Sequence, residues 1–282
     1  MHPIITLTTD FGLAESYVAV MKGVILNINP EAILVDICHT IKPQNIAQAA
    51  FILSTTYQFF PEKTVHLAVV DPGVGTERRG IILKTPTACF VAPDNGILSY
   101  VLDEHSTKPK KERTKGVRLT DNPQQKELPA GLEAVALNQP RFWRAPVSPT
   151  FHGRDVFAPV AAWLSHGLAL QEFGEPIPSL TTLPIPRPYR EADGSLTGHI
   201  QHVDSFGNLI TDIKSDDLST VRKVTTVAVG YRLIQGLSRT YAEGEELLTL
   251  IGSNGYLEVS LRGGSAASLL KVSLGDKVKV KF

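Results

Sequence analysis

Apolar residues fall in short unbroken runs through the first half of the chain and in glycine-punctuated runs through the second. The segment 4–8 is one such run and ends at Thr9-Asp10-Phe11-Gly12. Val18, Met21, Val24 and Ile25 then recur at helical spacing within 16–26, before Asn29-Pro30. Segments 32–37, 65–70, 80–84 and 90–92 predict further buried strands. Segments 46–59 and 156–166 predict helices, and 97–102 a helical turn. Unbroken apolar strands separated by helices need cover on both sheet faces. The pattern therefore predicts an α/β domain with a mainly parallel sheet covered by helices.

Between 103 and 149 this pattern fails. Lys108, Lys110, Lys111, Arg113 and Lys115 crowd one stretch, with no aromatic interleaving and no helical face. The region 104–131 reads as a solvated surface loop. Pro176, Pro178, Pro184, Pro186 and Pro188 then predict an extended linker. Beyond it, 198–204, 211–213, 225–229, 247–251, 256–261 and 277–282 are short β-rich runs. They predict a smaller all-β, barrel-like domain. The expected organisation is an α/β domain over 1–185 and a β-rich domain over 190–282, with no internal repeat.

The chain has 282 residues, 43% hydrophobic, which is enough for two domains of this kind. Lys+Arg and Asp+Glu both number 28, so the formal net charge is zero. That balance predicts no nucleic-acid partner and no attraction to anionic membrane. No apolar run approaches the roughly 18 residues a membrane span needs. The N-terminus opens as a strand and has no signal-peptide pattern. Cys38 and Cys89 lie far apart with no CxxC. They read as core thiols of a cytoplasmic protein, with neither a disulfide framework nor a metal site expected.

In open α/β sheets, ligands bind at the carboxyl ends of strands. Polar groups mark four such ends here: Thr9-Asp10, His39-Thr40, Asp71-Pro72-Gly73 and Asp94-Asn95-Gly96. A fifth candidate, Thr150-Phe151-His152-Gly153-Arg154-Asp155, precedes a helix. Each alone is ordinary turn chemistry. The glycine-rich 71–80 segment lacks the GxxxxGK[ST] arrangement of a phosphate loop. Residue chemistry alone reaches a small-molecule enzyme and stops there.

Five blocks, in order, carry a resemblance. They are Thr9-Asp10-Phe11-Gly12-Leu13, the run from Val70-Asp71-Pro72-Gly73 to Arg78-Arg79, and Ala92-Pro93-Asp94-Asn95-Gly96. The fourth runs from Ser148-Pro149-Thr150 through His152 to Pro159, and the fifth is Asp204-Ser205-Phe206-Gly207-Asn208. Together they resemble the S-adenosyl-L-methionine (SAM) hydrolases, or SAM hydroxide adenosyltransferases, relatives of the SAM-dependent fluorinase and chlorinase. The resemblance covers nearly the whole chain, leaving out mainly the 104–131 loop. It implies an N-terminal α/β domain joined to a C-terminal barrel. It also implies a homotrimer with SAM between the N-terminal domain of one subunit and the C-terminal domain of the next. The implied reaction is hydrolysis of SAM, as substrate and not cofactor, to adenosine and L-methionine.

The implied catalytic residues are Asp71, Arg78 and His152. Asp10 matches the carboxylate that binds the ribose hydroxyls, a fitting role for a two-oxygen acceptor. Phe206 and Tyr241 match aromatic positions around adenine and ribose. Asn208 and Ser253 match residues holding the methionine carboxylate or amino group. Glu15 stands where the family has an aspartate for the ammonium, Asn254 where the fluorinase has an arginine, and Gln44 where it has a tryptophan. Ser265 and Ala266 lie where backbone groups read the adenine edge. Asn95 is placed among the SAM contacts, although it and Asp94 also suit a turn, and His39 reads as structural.

The halide-using relatives carry a tyrosine at the position of Asp71, and the fluorinase a halide-binding serine at that of Gly153. A carboxylate repels halide and assists water. Three other readings remain: a halide-using SAM enzyme, a SAM or adenosine sensor without turnover, and a metal-dependent hydrolase built on Asp10, Asp71, Asp94 and His152. The last has no common ligand spacing.

Overall fold

The structure is a computed structural model that describes residues 2–106, 122–219 and 224–282. The basic segment 107–115 lies outside the described residues. Contacts divide the chain into two compact units, the first ending at Leu183 and the second running from Pro184 to Phe282.

The first unit runs β1 (Ile4–Thr9), α1 (Tyr17–Ile28), β2 (Ile33–Cys38), α2 (Ile46–Ser54), β3 (Thr64–Val69), β4 (Gly80–Lys84) and β5 (Ala88–Pro93). It continues with α3 (Ser99–Glu104), β6 (Gln124–Glu127), β7 (Glu133–Ala136), α4 (Ala158–Ser165) and β8 (Ser179–Thr182). Six strands form one sheet in the order β2-β1-β3-β5-β4-β7. The pairs β1–β2, β1–β3 and β3–β5 are parallel, whereas β4 runs antiparallel to β5 and β7. All six residues of β3 are buried, and its side chains alternate between two cores. Val65, Leu67 and Val69 join Met21 and Ile25 of α1 and Val160 of α4. Ala68 and Val70 join Leu53 of α2 and Val101 of α3 on the other face. The four parallel strands thus deliver their carboxyl ends to one edge of a doubly covered sheet.

Three local expectations change. The helix predicted over 46–59 stops at Ser54 and gives way to a 3-10 turn, Tyr57–Phe59. The hydroxyls of Ser54, Thr55 and Thr56 donate back to the carbonyls of Phe51 and Ile52, an alternative to further helix. The region 104–131 is not wholly loop, because Gln124–Glu127 forms β6. Its partner β8 lies inside the expected proline linker. A polar two-stranded pair carries no hydrophobic period, so nothing in the pattern marks it.

The second unit contains β9 (Tyr189–Arg190), β10 (Leu196–Val203), β11 (Leu209–Lys214), α5 (Ser215–Ser219), β12 (Thr226–Val229) and β13 (Arg232–Gln235). Then follow β14 (Leu247–Ile251), β15 (Tyr256–Leu261), α6 (Ala266–Leu270) and β16 (Lys277–Lys281). Its strands pair antiparallel in the order β13-β12-β16-β10-β11-β15-β14, with β9 on β10. The outer strands β13 and β14 approach each other, which curls the sheet into a nearly closed barrel. Leu196, Ile200, Leu209, Val227, Val259 and Val278 fill it. Among the described residues, no helix is long and apolar enough to cross a membrane.

Candidate active site

Strand register sets the first side chains. Thr9 of β1 pairs with Val69 of β3, so Asp10 and Asp71 leave adjacent strand ends. The loop after β1 is tied to the end of β2 by Gly12 N donating to His39 O at 2.8 Å. Asp10 Oδ2 accepts from the Gln44 backbone amide at 2.7 Å. Its Oδ1 has no protein donor among the described residues and is open to a ligand. Gln44 therefore contributes here through its backbone, in a left-handed conformation at φ 66°.

The segment after β3 turns tightly: Val74 N donates to Asp71 O at 3.2 Å and Thr76 N to Gly73 O at 3.1 Å. Gly75 has φ 79°, and a Cβ there would lie 2.5 Å from Pro149 O. Only glycine permits that approach. It packs the turn bearing Asp71 and Arg78 against the loop that leads into His152.

Arg78 then joins the other two side chains. Its Nε donates to Asp71 Oδ1 at 2.8 Å, and its Nη2 lies 2.5 Å from Asp71 Oδ2 and 2.8 Å from His152 Nδ1. The Asp71 and Arg78 side chains are only 6% and 12% exposed. Phe157 lies under the guanidinium, 5.1 Å from ring centre to Cζ. The short Nη2–Oδ2 approach is an ion pair without hydrogen-bond alignment, leaving Oδ2 buried with no aligned donor. Arginine has no acceptor, so His152 Nδ1 must accept, and the imidazole is neutral with its proton on Nε2. Burial and then the Arg78 charge hold the His152 pKa below its ordinary value, consistent with that tautomer. The cluster thus sets one donor, His152 Nε2, beside a carboxylate, Asp71, whose Oδ2 is sealed against Arg78.

The loop carrying His152 is fixed from beneath by Asp155, a fully buried carboxylate. It accepts from Arg154 Nε at 2.6 Å, Arg154 Nη2 at 2.7 Å and Ser148 N at 2.9 Å. Residues Gly153–Phe157 form a π-helical turn before α4. A Cβ on Gly153 would lie 3.2–3.3 Å from Phe151, Met21 and Phe11, so this glycine is part of a close-packed wall.

Asp94 and Asn95 serve the scaffold. Asp94 Oδ2 takes Arg79 Nη2 at 2.5 Å, and its Oδ1 accepts Thr181 N of β8 at 2.7 Å. Asn95 donates to Val70 O at 2.8 Å and accepts from Ile97 N at 3.2 Å, which holds the end of β3. His39, nearly buried, bonds Thr9 Oγ1 through Nδ1 at 2.8 Å. Glu15 is exposed in the bend before α1. Asp10, Asp71, Asp94 and His152 do not converge, and no group of three or more potential metal ligands occurs among the described residues.

Within the second unit, Asp204 organises the 204–208 loop. Its Oδ1 accepts from Phe206 N at 2.9 Å and Asn208 N at 2.8 Å, and its Oδ2 from Asn208 Nδ2 at 2.9 Å. Gly207 at φ 84° lies where any Cβ would collide with Ser265. Ser265 Oγ caps α6 by accepting Ser268 N at 3.1 Å, and Ala267 N donates to Gly207 O at 3.0 Å. Phe206, Asn208, Ser265 and Ala266 are thereby gathered. The Phe206 ring is left 76% exposed. Ser253 and Asn254 form the exposed tip of the β14–β15 turn, closed by Gly252 N donating to Tyr256 O at 2.9 Å. Tyr241 donates to Glu258 Oε1 at 2.7 Å. Glu258 escaped the sequence reading. Its signal is a lone acid on one face of β15, in line with Tyr256 and Ser260.

The chain matches the family model for the SAM hydroxide adenosyltransferase N-terminal domain over residues 5–174 and that for the C-terminal domain over residues 198–279. It belongs to the SAM hydroxide adenosyltransferase family. A relative named (R)-S-adenosyl-L-methionine hydrolase, from Salinispora tropica, is 37% identical over 99% of this chain and 97% of its own length. A fluorinase from Nocardia brasiliensis is more distant, 27% identical over 99% of this chain and 97% of its own. A solved structure from Thermotoga maritima, described as an uncharacterized conserved protein, superposes with TM-score 0.84 at 34% identity. That match covers 99% of this chain and 100% of the other. The N- and C-domain models of the family coincide with the α/β unit and the barrel described above.

Proposed function

We propose that the chain hydrolyses SAM to adenosine and L-methionine by in-line attack of water on the ribose 5′ carbon. The observation that carries this reading is the Asp71–Arg78–His152 cluster, set at a strand end in a chain of this family. Its relative from Salinispora tropica is named for the same hydrolysis. The leaving group is a neutral thioether, so no acid, metal or cofactor has to activate it. What the reaction needs is an oriented water. The Asp71 carboxylate is the acceptor this requires and His152 Nε2 the donor, while Arg78 locks both side chains. The oxygen of water bonds to C5′ as the C5′–S bond breaks with its electron pair going to sulfur. The released proton passes by way of Asp71 to solvent.

Two observations favour water over halide. A carboxylate stands beside the expected attack position, and Gly153 offers no hydroxyl to a halide, while a Cβ there would need Phe151, Met21 and Phe11 to give by a few tenths of an ångström. Incubation with SAM, with and without chloride, tests the reading. Adenosine and methionine are expected in equal amounts, independent of chloride. A chlorinated nucleoside, or dependence on chloride, would overturn it, and binding without product would leave a sensor.

The neutral state of His152 sets a pH dependence. Its pKa is lowered from 6.5, so the working form dominates at neutral pH and is lost only as pH falls further. A proton on Nδ1 then confronts the Arg78 donor. The acid limb of kcat/KM is expected below pH 6.5, and a limb centred above that value contradicts the assignment.

The proposed working form is a homotrimer in which the Phe206 loop and the 252–255 turn of a second copy complete each SAM site. The exposed Phe206 ring supports this, and a fully active monomer would count against it. The two free thiols, Cys38 and Cys89, suit a cytoplasmic setting.

A further inference from the structure

Glu258 lies in the middle of β15 and is 7% exposed. Both its hydrogen-bond donors are neutral: Tyr241 Oη and Ser260 Oγ each reach Oε1 at 2.7 Å. No Lys, Arg or His among the described residues pairs with it. A carboxylate this buried without a cation is costly to keep unless a ligand supplies the charge. Oε2 receives no protein hydrogen bond, yet it is not among the sealed unpaired atoms of the fold. It lies against Gly252, where a Cβ would come within 2.6 Å of Oε2. The open oxygen therefore abuts the turn whose tip is Ser253 and Asn254. Burial, the bond to Glu258 and the charges of Glu258 and Asp204 push the Tyr241 phenol up to about 12. Tyr241 accordingly remains a donor and fixes the rotamer of Glu258.

We infer that Glu258, rather than the exposed Glu15, takes the α-ammonium of the methionine moiety through Oε2, with Tyr241 as the residue that positions it. This rests on the SAM reading. An ammonium is the matching group, since it offers three donors and a full charge to an otherwise unpaired oxygen. The adenosine portion of the ligand has no such cation.

Glu258→Gln keeps an acceptor for Tyr241 and Ser260 and removes the charge. Its KM for SAM, and its Kd for S-adenosylhomocysteine and for adenosine, are the readouts. Affinity for S-adenosylhomocysteine, which keeps the ammonium but has no sulfonium, is expected to fall about tenfold to a hundredfold. The KM for SAM should rise in parallel, and adenosine binding should not change. Tyr241→Phe should weaken S-adenosylhomocysteine less and again spare adenosine, and it carries the test if Glu258→Gln does not fold. Equal losses for adenosine would show a merely structural role and overturn the inference. So would a loss confined to SAM, which would point to the sulfonium, or no loss at all. Because S-adenosylhomocysteine binding needs no turnover, a wild-type chain that binds it but leaves SAM intact fails the proposed reaction and not this assignment.

Discussion

Replacing Asp71 with asparagine is expected to cut SAM turnover by about a hundredfold or more while changing SAM affinity only a few-fold. Asparagine still offers one oxygen to Arg78 Nε, which now holds Asp71 Oδ1 at 2.8 Å, so the turn should survive. The amide nitrogen then falls at the position of Oδ2, facing Arg78 Nη2, and the carboxylate charge that would take a proton from water is lost. Asp10→Ala should behave in the opposite way. Its Oδ2 holds the Gln44 amide, and its Oδ1 is the open oxygen, so SAM affinity should fall more than the rate of bound SAM. Single-turnover rates and dissociation constants for both variants separate the two roles. If Asp71→Asn hydrolyses SAM at the wild-type rate, Asp71 does not handle the water.

Arg78→Ala should damage both stability and catalysis. It leaves a carboxylate 6% exposed without its cation, a loss on the order of 3–5 kcal/mol for a buried pair. Melting temperature should drop by about 10 °C in a chain of this size. Turnover should fall at least as far as in Asp71→Asn, because His152 loses the donor that fixes its tautomer. Arg78→Lys discriminates the two effects. One ammonium restores the charge beside Asp71 but does not reproduce the fork that reaches Asp71 and His152 together. Most of the stability should return without most of the activity. Recovery of both by lysine would show that only charge matters.

The sequence made the parallel half of the sheet legible because β1, β2, β3 and β5 are short, mostly apolar runs that end in polar turns. The barrel was legible as a change from helical to β-rich patterning. The pair β6–β8 was not, since Gln124–Glu127 is polar throughout and Ser179–Thr182 sits between prolines. The candidate site divides similarly. Motif resemblance located Asp71, Arg78 and His152, but spacing alone did not join residues 74 positions apart. What joins them is a glycine whose missing Cβ lets two loops touch, and a buried Asp155 that no period announces. Asp94 and Asn95 look in sequence like the strand end that bears Asp71, yet their side chains are spent on Arg79, Thr181 and the backbone of Val70.

The most direct test of the central claim is hydrolysis in ¹⁸O-enriched water, with the adenosine analysed by mass spectrometry. Attack of water at C5′ places the label in the 5′-hydroxyl of adenosine and none in methionine. Adenosine carrying no label, or label in methionine, would contradict attack of water at C5′ and with it the roles assigned to Asp71, Arg78 and His152.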